Sequence, residues 1–182
     1  IEYYKGIFTI LSSCAARQLE EVTFRRNTIP VQELFDAAGK YFRKVMKNRT
    51  EKVELIIEPM EAKVIGDVNQ LRFLFENLID ETLAVREEGV IRLQARKDNE
   101  YIRFLFTDTR REKSVTELNQ LFYPNLARMT SGEKGELRGT EYLICKQIIR
   151  DHDEFAGRRG CRINAEPAEG GGFTVYFTIP RR

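Results

Sequence analysis

Residues 67–83 read DVNQLRFLFENLIDETL. Asp67 followed three residues later by Gln70 is the pattern of a capping box, in which side-chain oxygens satisfy the first free N–H groups of a helix. Leu71, Leu74, Phe75, Leu78, Ile79 and Leu83 then recur three or four residues apart, which puts them on one buried stripe. This is the most strongly patterned helix in the chain, and the elements around it must supply a surface for that stripe to cover.

Downstream, residues 89–97 (GVIRLQARK) and 100–108 (EYIRFLFTD) are rich in β-branched and aromatic side chains and meet at Asp98 and Asn99, so they predict a hairpin. Upstream, residues 52–58 alternate as a strand does. Before them Pro30 opens a helix with an apolar face of Val31, Leu34, Phe35, Ala38, Phe42 and Val45, running to about Asn48. Residues 109–138 turn polar, with a short helix expected from Val115 to Phe122 and a loop through residues 131–135. A helix from Thr140 to about Arg150 and strands near 160–166 and 173–179 complete the chain. Residues 1–23 carry Ile1, Tyr4, Phe8, Leu11, Ala15 and Val22 at a near-heptad spacing broken by Gln18, a helix that either pairs with another or lies on its own domain. The fold expected is α+β: a two-layer sandwich, a mixed sheet with helices on one face, preceded by an N-terminal helix. Residues 1–27 are expected to be helix and linker, and residues 28–182 the domain.

Composition narrows the function. With 182 residues, 42% apolar and 32% charged, the chain can build one full core. A net charge of +2 sets up no global field to draw nucleic acid. Cys14, Cys145 and Cys161 are odd in number and far apart, which fits neither a disulfide framework nor a metal site and suggests a cytoplasmic setting. Apolar runs fall well short of the ~18 residues of a membrane span. Ile1 is not an initiator Met, so the chain is expected to be a fragment whose membrane contact, if any, is made by segments upstream. A single histidine, His152, argues against a Ser-His-Asp triad, and the paired acids Asp80-Glu81 and Glu87-Glu88 read as solvated helix surface.

Four pieces carry a resemblance. Asp67-Val68-Asn69-Gln70-Leu71 leading into Glu76-Asn77-Leu78-Ile79 resembles an N box helix. Phe104-Leu105-Phe106-Thr107-Asp108 resembles a strand ending in a G1 aspartate. Leu121-Phe122-Tyr123-Pro124-Asn125 is similar to the segment before an ATP lid, and Gly139 through Ile149 to His152 to a G2 helix with its trailing histidine. In this order they resemble the ATP-binding domain shared by sensor histidine kinases and DNA gyrase, the Bergerat fold, over residues 28–180. The resemblance implies a role for Asp108 in holding the adenine amino group, and for Asn77 and the residue one turn later, here Glu81, in holding Mg²⁺. The first helix stands where the family's second dimerisation helix would run. The phosphoacceptor histidine would lie upstream; His152, toward a helix C-terminus where the dipole favours positive charge, reads as structural.

The departures are concentrated where phosphate should meet bare main chain. Glycines serve there because a side chain would stand in the way. The G1 pattern Asp-x-Gly-x-Gly is here Asp108-Thr109-Arg110-Arg111-Glu112, and of three G2 glycines only Gly139 remains, followed by Thr140 and Glu141. Glu141 falls in the first turn of the helix, where the phosphate should sit. One like-charge contact at ~4 Å costs on the order of 4 kcal/mol at an effective dielectric near 20. The threonine expected after the last glycine is replaced by Phe173. Arg110, Arg111, Lys113, Arg128, Lys134 and Arg138 read either as solvated loop charges or as a belt holding an anion.

The resemblance therefore implies a two-component signalling domain with ATP binding lost or weakened, no cofactor, and a scaffold role. Its partners would be a second copy through the N-terminal helix and a response regulator or output domain, without direct nucleic acid contact. The alternatives are an active kinase with an ATP and Mg²⁺ site rebuilt around Asn77, Glu81 and Asp108, and a pure interaction module.

Overall fold

The computed structural model describes residues 23–124 and 140–182. The expected N-terminal helix and the loop holding Gly139, Arg128, Lys134 and Arg138 lie outside these residues. The described elements are β1 (Asn27–Pro30), α1 (Val31–Met46), β2 (Val53–Ile57), β3 (Lys63–Gly66), α2 (Val68–Leu83), β4 (Gly89–Asp98), β5 (Tyr101–Asp108), α3 (Val115–Asn119), α4 (Thr140–Phe155), β6 (Ile163–Pro167) and β7 (Phe173–Pro180).

Five strands form a mixed sheet in the order β2-β4-β5-β7-β6, parallel between β2 and β4 and antiparallel elsewhere. The hairpin expected at Asp98 and Asn99 is present, and Asn99 takes φ +55°, a conformation asparagine tolerates better than most residues. Along β5, Ile102, Phe104, Phe106 and Asp108 are buried while the intervening residues are half-buried, the alternation of a sheet with one covered face. On β7 the register sets Ile179, Phe177, Val175 and Phe173 opposite these four.

Helices α1 and α2 cover that face. Every apolar residue of the stripe read from residues 67–83 is buried, as are Val31, Leu34, Phe35, Ala38 and Phe42 of α1. Four phenylalanines join the layers: Phe35 on Phe75 at 6.3 Å, Phe75 on Phe104 at 5.8 Å, and Phe104 stacked on Phe177 at 4.9 Å. Helix α4 packs along α2, where the Cys145 thiol donates to the Leu74 carbonyl at 3.7 Å. Cys161 is also buried, and desolvation together with the Asp153 carboxylate pushes its thiol up to about 12, so it serves packing and not nucleophilic chemistry.

Two strands were not foreseen. β1 falls on residues read as a polar break, and β3 on residues left between the expected strand and helix. They pair antiparallel, Asn27 opposite Gly66 and Pro30 opposite Lys63. Neither has a periodic signal of its own; each is a strand because the other is there, and the chain end secures them when the Arg182 N–H donates to the Lys63 carbonyl. Among the described residues no helix is long and apolar enough to cross a membrane.

Candidate functional site

The site begins at the start of α2. One Asp67 oxygen accepts from the backbone N–H groups of Asn69 at 3.0 Å and Gln70 at 3.2 Å, which is the expected cap. The other half of the capping box is replaced: the Asp67 N–H donates instead to Nε2 of His152 at 3.1 Å. A backbone N–H can only donate, so Nε2 bears the lone pair and Nδ1 donates to the Ile148 carbonyl at 2.8 Å. His152 is therefore the uncharged tautomer, fully buried in a helix that runs on to Phe155. His152 does fall in the last turn of α4, as expected, but the positive charge expected there is corrected, because both ring nitrogens are committed within the fold. Phe24 stands edge-on to the His152 ring at 5.0 Å, and the second Asp67 oxygen accepts from the Arg25 N–H at 3.0 Å. Sequence reasoning missed this node; Gly66 was its one signal, since a Cβ there would lie 2.7 Å from His152 Nε2.

Along α2, Asn77 is buried, and its amide nitrogen donates to the Phe73 carbonyl at 2.8 Å. That leaves the amide oxygen as the group a metal could use. Glu81 lies one helical turn on and is half-buried. Glu141 occupies the first turn of α4, where it accepts from the Thr140 hydroxyl at 3.3 Å. On the same helix the Lys146 ammonium sits 3.9 Å from the centre of the Tyr123 ring, and burial and then the Arg150 charge hold it below the ordinary lysine value.

Asp108 ends β5 on the covered face, and here the structure departs most from expectation. Arg110 was read as a solvated loop charge or part of an anion-holding belt. Its side chain is in fact completely buried against Asp108. Nε donates to one Asp108 oxygen at 2.9 Å and Nη2 to the other at 3.2 Å. Nη2 also donates to the Thr82 carbonyl at 2.6 Å, and Nη1 to the carbonyls of Glu87 at 2.7 Å and Val85 at 3.3 Å. All five guanidinium N–H groups are thereby used. The Arg110 backbone N–H adds a bond to Asp108 at 3.0 Å. Arg110 is thus unable to neutralise Glu141 or hold an anion. Arg111, by contrast, is exposed, as a solvated loop charge should be.

The surroundings are shaped to this pair. Gly89 has φ +143°, and a Cβ there would lie 2.7 Å from Cγ of Arg110. Phe173 sits opposite Asp108 in the register and is buried. The structure thus brings Asp108 and Arg110 together with the end of α2, while Asn77, Glu81 and Glu141 stand on the two packed helices α2 and α4.

Both Asp108 oxygens accept from Arg110, so an adenine amino group would have to share this carboxylate with the guanidinium. Asn77 and Glu81 are a chemically suitable pair for Mg²⁺.

Comparison with known proteins gives a consistent picture. The profile of the family described as histidine kinase-, DNA gyrase B- and HSP90-like ATPase matches residues 66–182. The signal transduction histidine-protein kinase BaeS of Escherichia coli K12 is 24% identical over 163 residues, which cover 87% of this chain and 33% of BaeS. The chain thus spans about a third of the length of that relative. Among solved structures, the Acinetobacter baumannii histidine kinase AdeS superposes with a TM-score of 0.68 at 12% identity, covering 98% of this chain and 79% of AdeS. The histidine kinase ThkA, in complex with the response regulator TrrA, superposes with a TM-score of 0.66 at 16% identity, covering 98% and 49%.

Proposed function

As a member of the histidine kinase-, DNA gyrase B- and HSP90-like ATPase family, of the kind found in sensor histidine kinases, the chain has a fold whose usual work is to hold ATP, and we propose that here ATP binding is lost or strongly weakened. In this reading the domain serves two-component signalling as a scaffold, through its conformation and the partners it contacts. The carrying observation is that the Asp108 carboxylate, the acceptor for an adenine amine, is engaged through both oxygens by Arg110 in a buried pair. Displacing Arg110 would strand two buried charges, which costs several kcal/mol, more than one new hydrogen bond returns. Glu141 in the first turn of α4 adds repulsion toward a phosphate.

A response regulator is the partner class supported by the likeness to ThkA, which was crystallised with one. A second copy joined through the N-terminal helix, and a cytoplasmic location, belong to the same proposal. Calorimetric titration of the chain with ATP and Mg²⁺ tests it: no heat of binding is expected in the micromolar range, and clear micromolar affinity would sink it.

An active kinase with a rebuilt site is favoured by one feature, the retention of Asn77 with a carboxylate at Glu81 one turn away. Incubating the full-length protein with labelled ATP separates the two readings, since a phosphohistidine on the protein or on a partner would establish the active one.

A further inference from the structure

The five-stranded sheet has two outermost strands, and they are unlike. β6 ends in Pro167 and has α3 packed against it, devices that keep an edge strand from pairing further. β2, Val53–Ile57, reads VELII, contains neither Pro nor Lys, and lies outermost beside β4. The Lys52 carbonyl accepts from the Gly89 N–H at 3.1 Å and the Glu58 N–H donates to the Leu93 carbonyl at 3.0 Å, so the even-numbered residues of this stretch bond to β4. The N–H and C=O groups of Val53, Leu55 and Ile57 therefore point away from the sheet, and no hydrogen bond from a described residue reaches them. An edge of this kind is a template for another strand.

We infer that the strand it takes is β2 of a second copy of this chain, paired antiparallel about a twofold axis at Leu55, so that the two sheets become continuous. In this register the edge is complementary to itself. Leu55 faces the partner's Leu55 and Val53 faces the partner's Ile57, and these outward-pointing residues exchange both their N–H and C=O groups. On the open face Lys52 meets the partner's Glu58 and Glu54 meets the partner's Ile56, so no like charges stand opposite. Lys52, Glu54, Ile56 and Glu58 are all exposed, Ile56 by 40%, and the pairing covers that isoleucine. A shift of two residues toward the C-terminus would set Leu55 against the partner's Pro59, which has no N–H to give. The same axis runs α1, whose Gly39 lies over Ile57, antiparallel to its copy, so that its acidic start at Glu33 and basic end at Arg43 and Lys44 are laid in opposite order. The contact is one strand wide, short of the ~1,200 Å² of stable complexes, so the association is weak and rises with concentration. It uses no residue of the N-terminal helix and stands whether or not the chain binds ATP.

The test uses the whole 182-residue chain as wild type, Lys52→Glu, Glu58→Lys and an equimolar mixture of the two variants, in sedimentation velocity over a concentration series. Both side chains are exposed, so the variants should fold with an unchanged Tm. Wild type is expected to associate with a Kd between roughly 100 µM and 1 mM. Each variant alone sets like charges opposite at both ends of the paired strands and should associate at least about fivefold more weakly. In the mixture every such pair is again of opposite charge, and association should return to within about twofold of wild type. Wild type that stays monomeric to ~1 mM, variants that associate as wild type does, or a mixture no stronger than its components overturns the inference.

Backbone amide exchange locates the contact. The N–H groups of Val53, Leu55 and Ile57 should exchange more slowly as wild-type concentration rises, while those of β6 do not change. Association through the N-terminal helix, or an edge kept for a partner of different chemistry, would leave these amides equally fast at every concentration and the mixture without effect, and either result overturns the inference. ATP binding by wild type, which would end the proposed function, leaves both readouts as they are.

Discussion

Gly172 and Gly170 both adopt left-handed backbone, φ +85° and +89°, yet they are under very different constraints. A Cβ on Gly172 would stand 2.1 Å from the carbonyl oxygen of Asp108 and 2.8 Å from the Cα of Thr109, whereas a Cβ on Gly170 would meet nothing within 4 Å. Gly170→Ala should therefore cost only the backbone term, about 1–2 kcal/mol. Gly172→Ala must also push the β6–β7 turn off the strand end that carries Asp108, and should cost more than ~3 kcal/mol. Urea denaturation of the two variants checks this, and equal midpoints would contradict it. At this scale the sequence placed Asn77 and Glu81 one turn apart on a helix, Asp108 at the end of a strand and Glu141 in the first turn of a helix, because these positions follow from place along an element. It did not show that Arg110 is buried, since its carbonyl partners at Thr82, Val85 and Glu87 lie 28, 25 and 23 residues away.

Among the elements, α2 has the most to lose from a single change at its start. Asp67 caps the helix through one oxygen and holds the Arg25 N–H through the other, so it ties the segment entering the domain to the helix that bears Asn77. Asp67→Ala should cost ~2 kcal/mol, near the upper end for a lost cap because the Arg25 bond goes with it. Asp67→Asn keeps the cap but turns an N–H₂ toward the Arg25 N–H, so it should fall between Ala and wild type. Chemical denaturation orders the three proteins, and an Asn variant no better than Ala would show that the Arg25 bond dominates. The helix itself was readable from its stripe and Asp67. The substitution of His152 for the return bond was not, because the strand and helix that bring them together are remote in sequence. α3 illustrates the complementary limit: its residues read as helix to Phe122, but α3 ends at Asn119 and the chain turns, and Leu121 and Phe122 are buried nonetheless. An apolar pattern reports burial more faithfully than it reports where a helix stops.

For the whole molecule, the cluster of Phe35, Phe75, Phe104 and Phe177 makes the two layers one cooperative unit, since it joins α1, α2, β5 and β7. Phe75 touches the other three and is about 1% exposed. Phe75→Ala should lower stability by ~3–5 kcal/mol, the cost of removing a buried ring and leaving a cavity. Calorimetry should show a single transition at lower temperature, and two separate transitions would show that the layers melt independently.

The sequence by itself determined the class of fold, the amphipathic helices, the strands of the hairpin and the end of β5 at Asp108, because helix stripes, strand alternation and caps are written in residues a few positions apart. Tertiary structure alone decided that β1 and β3 are strands, that His152 is an uncharged acceptor beneath the start of α2, and that Arg110 is buried against Asp108. Each of these depends on groups brought close only once the chain has folded, and a guanidinium hydrogen-bonds identically in pattern-free sequence whether its acceptors are water or the protein's own carbonyls.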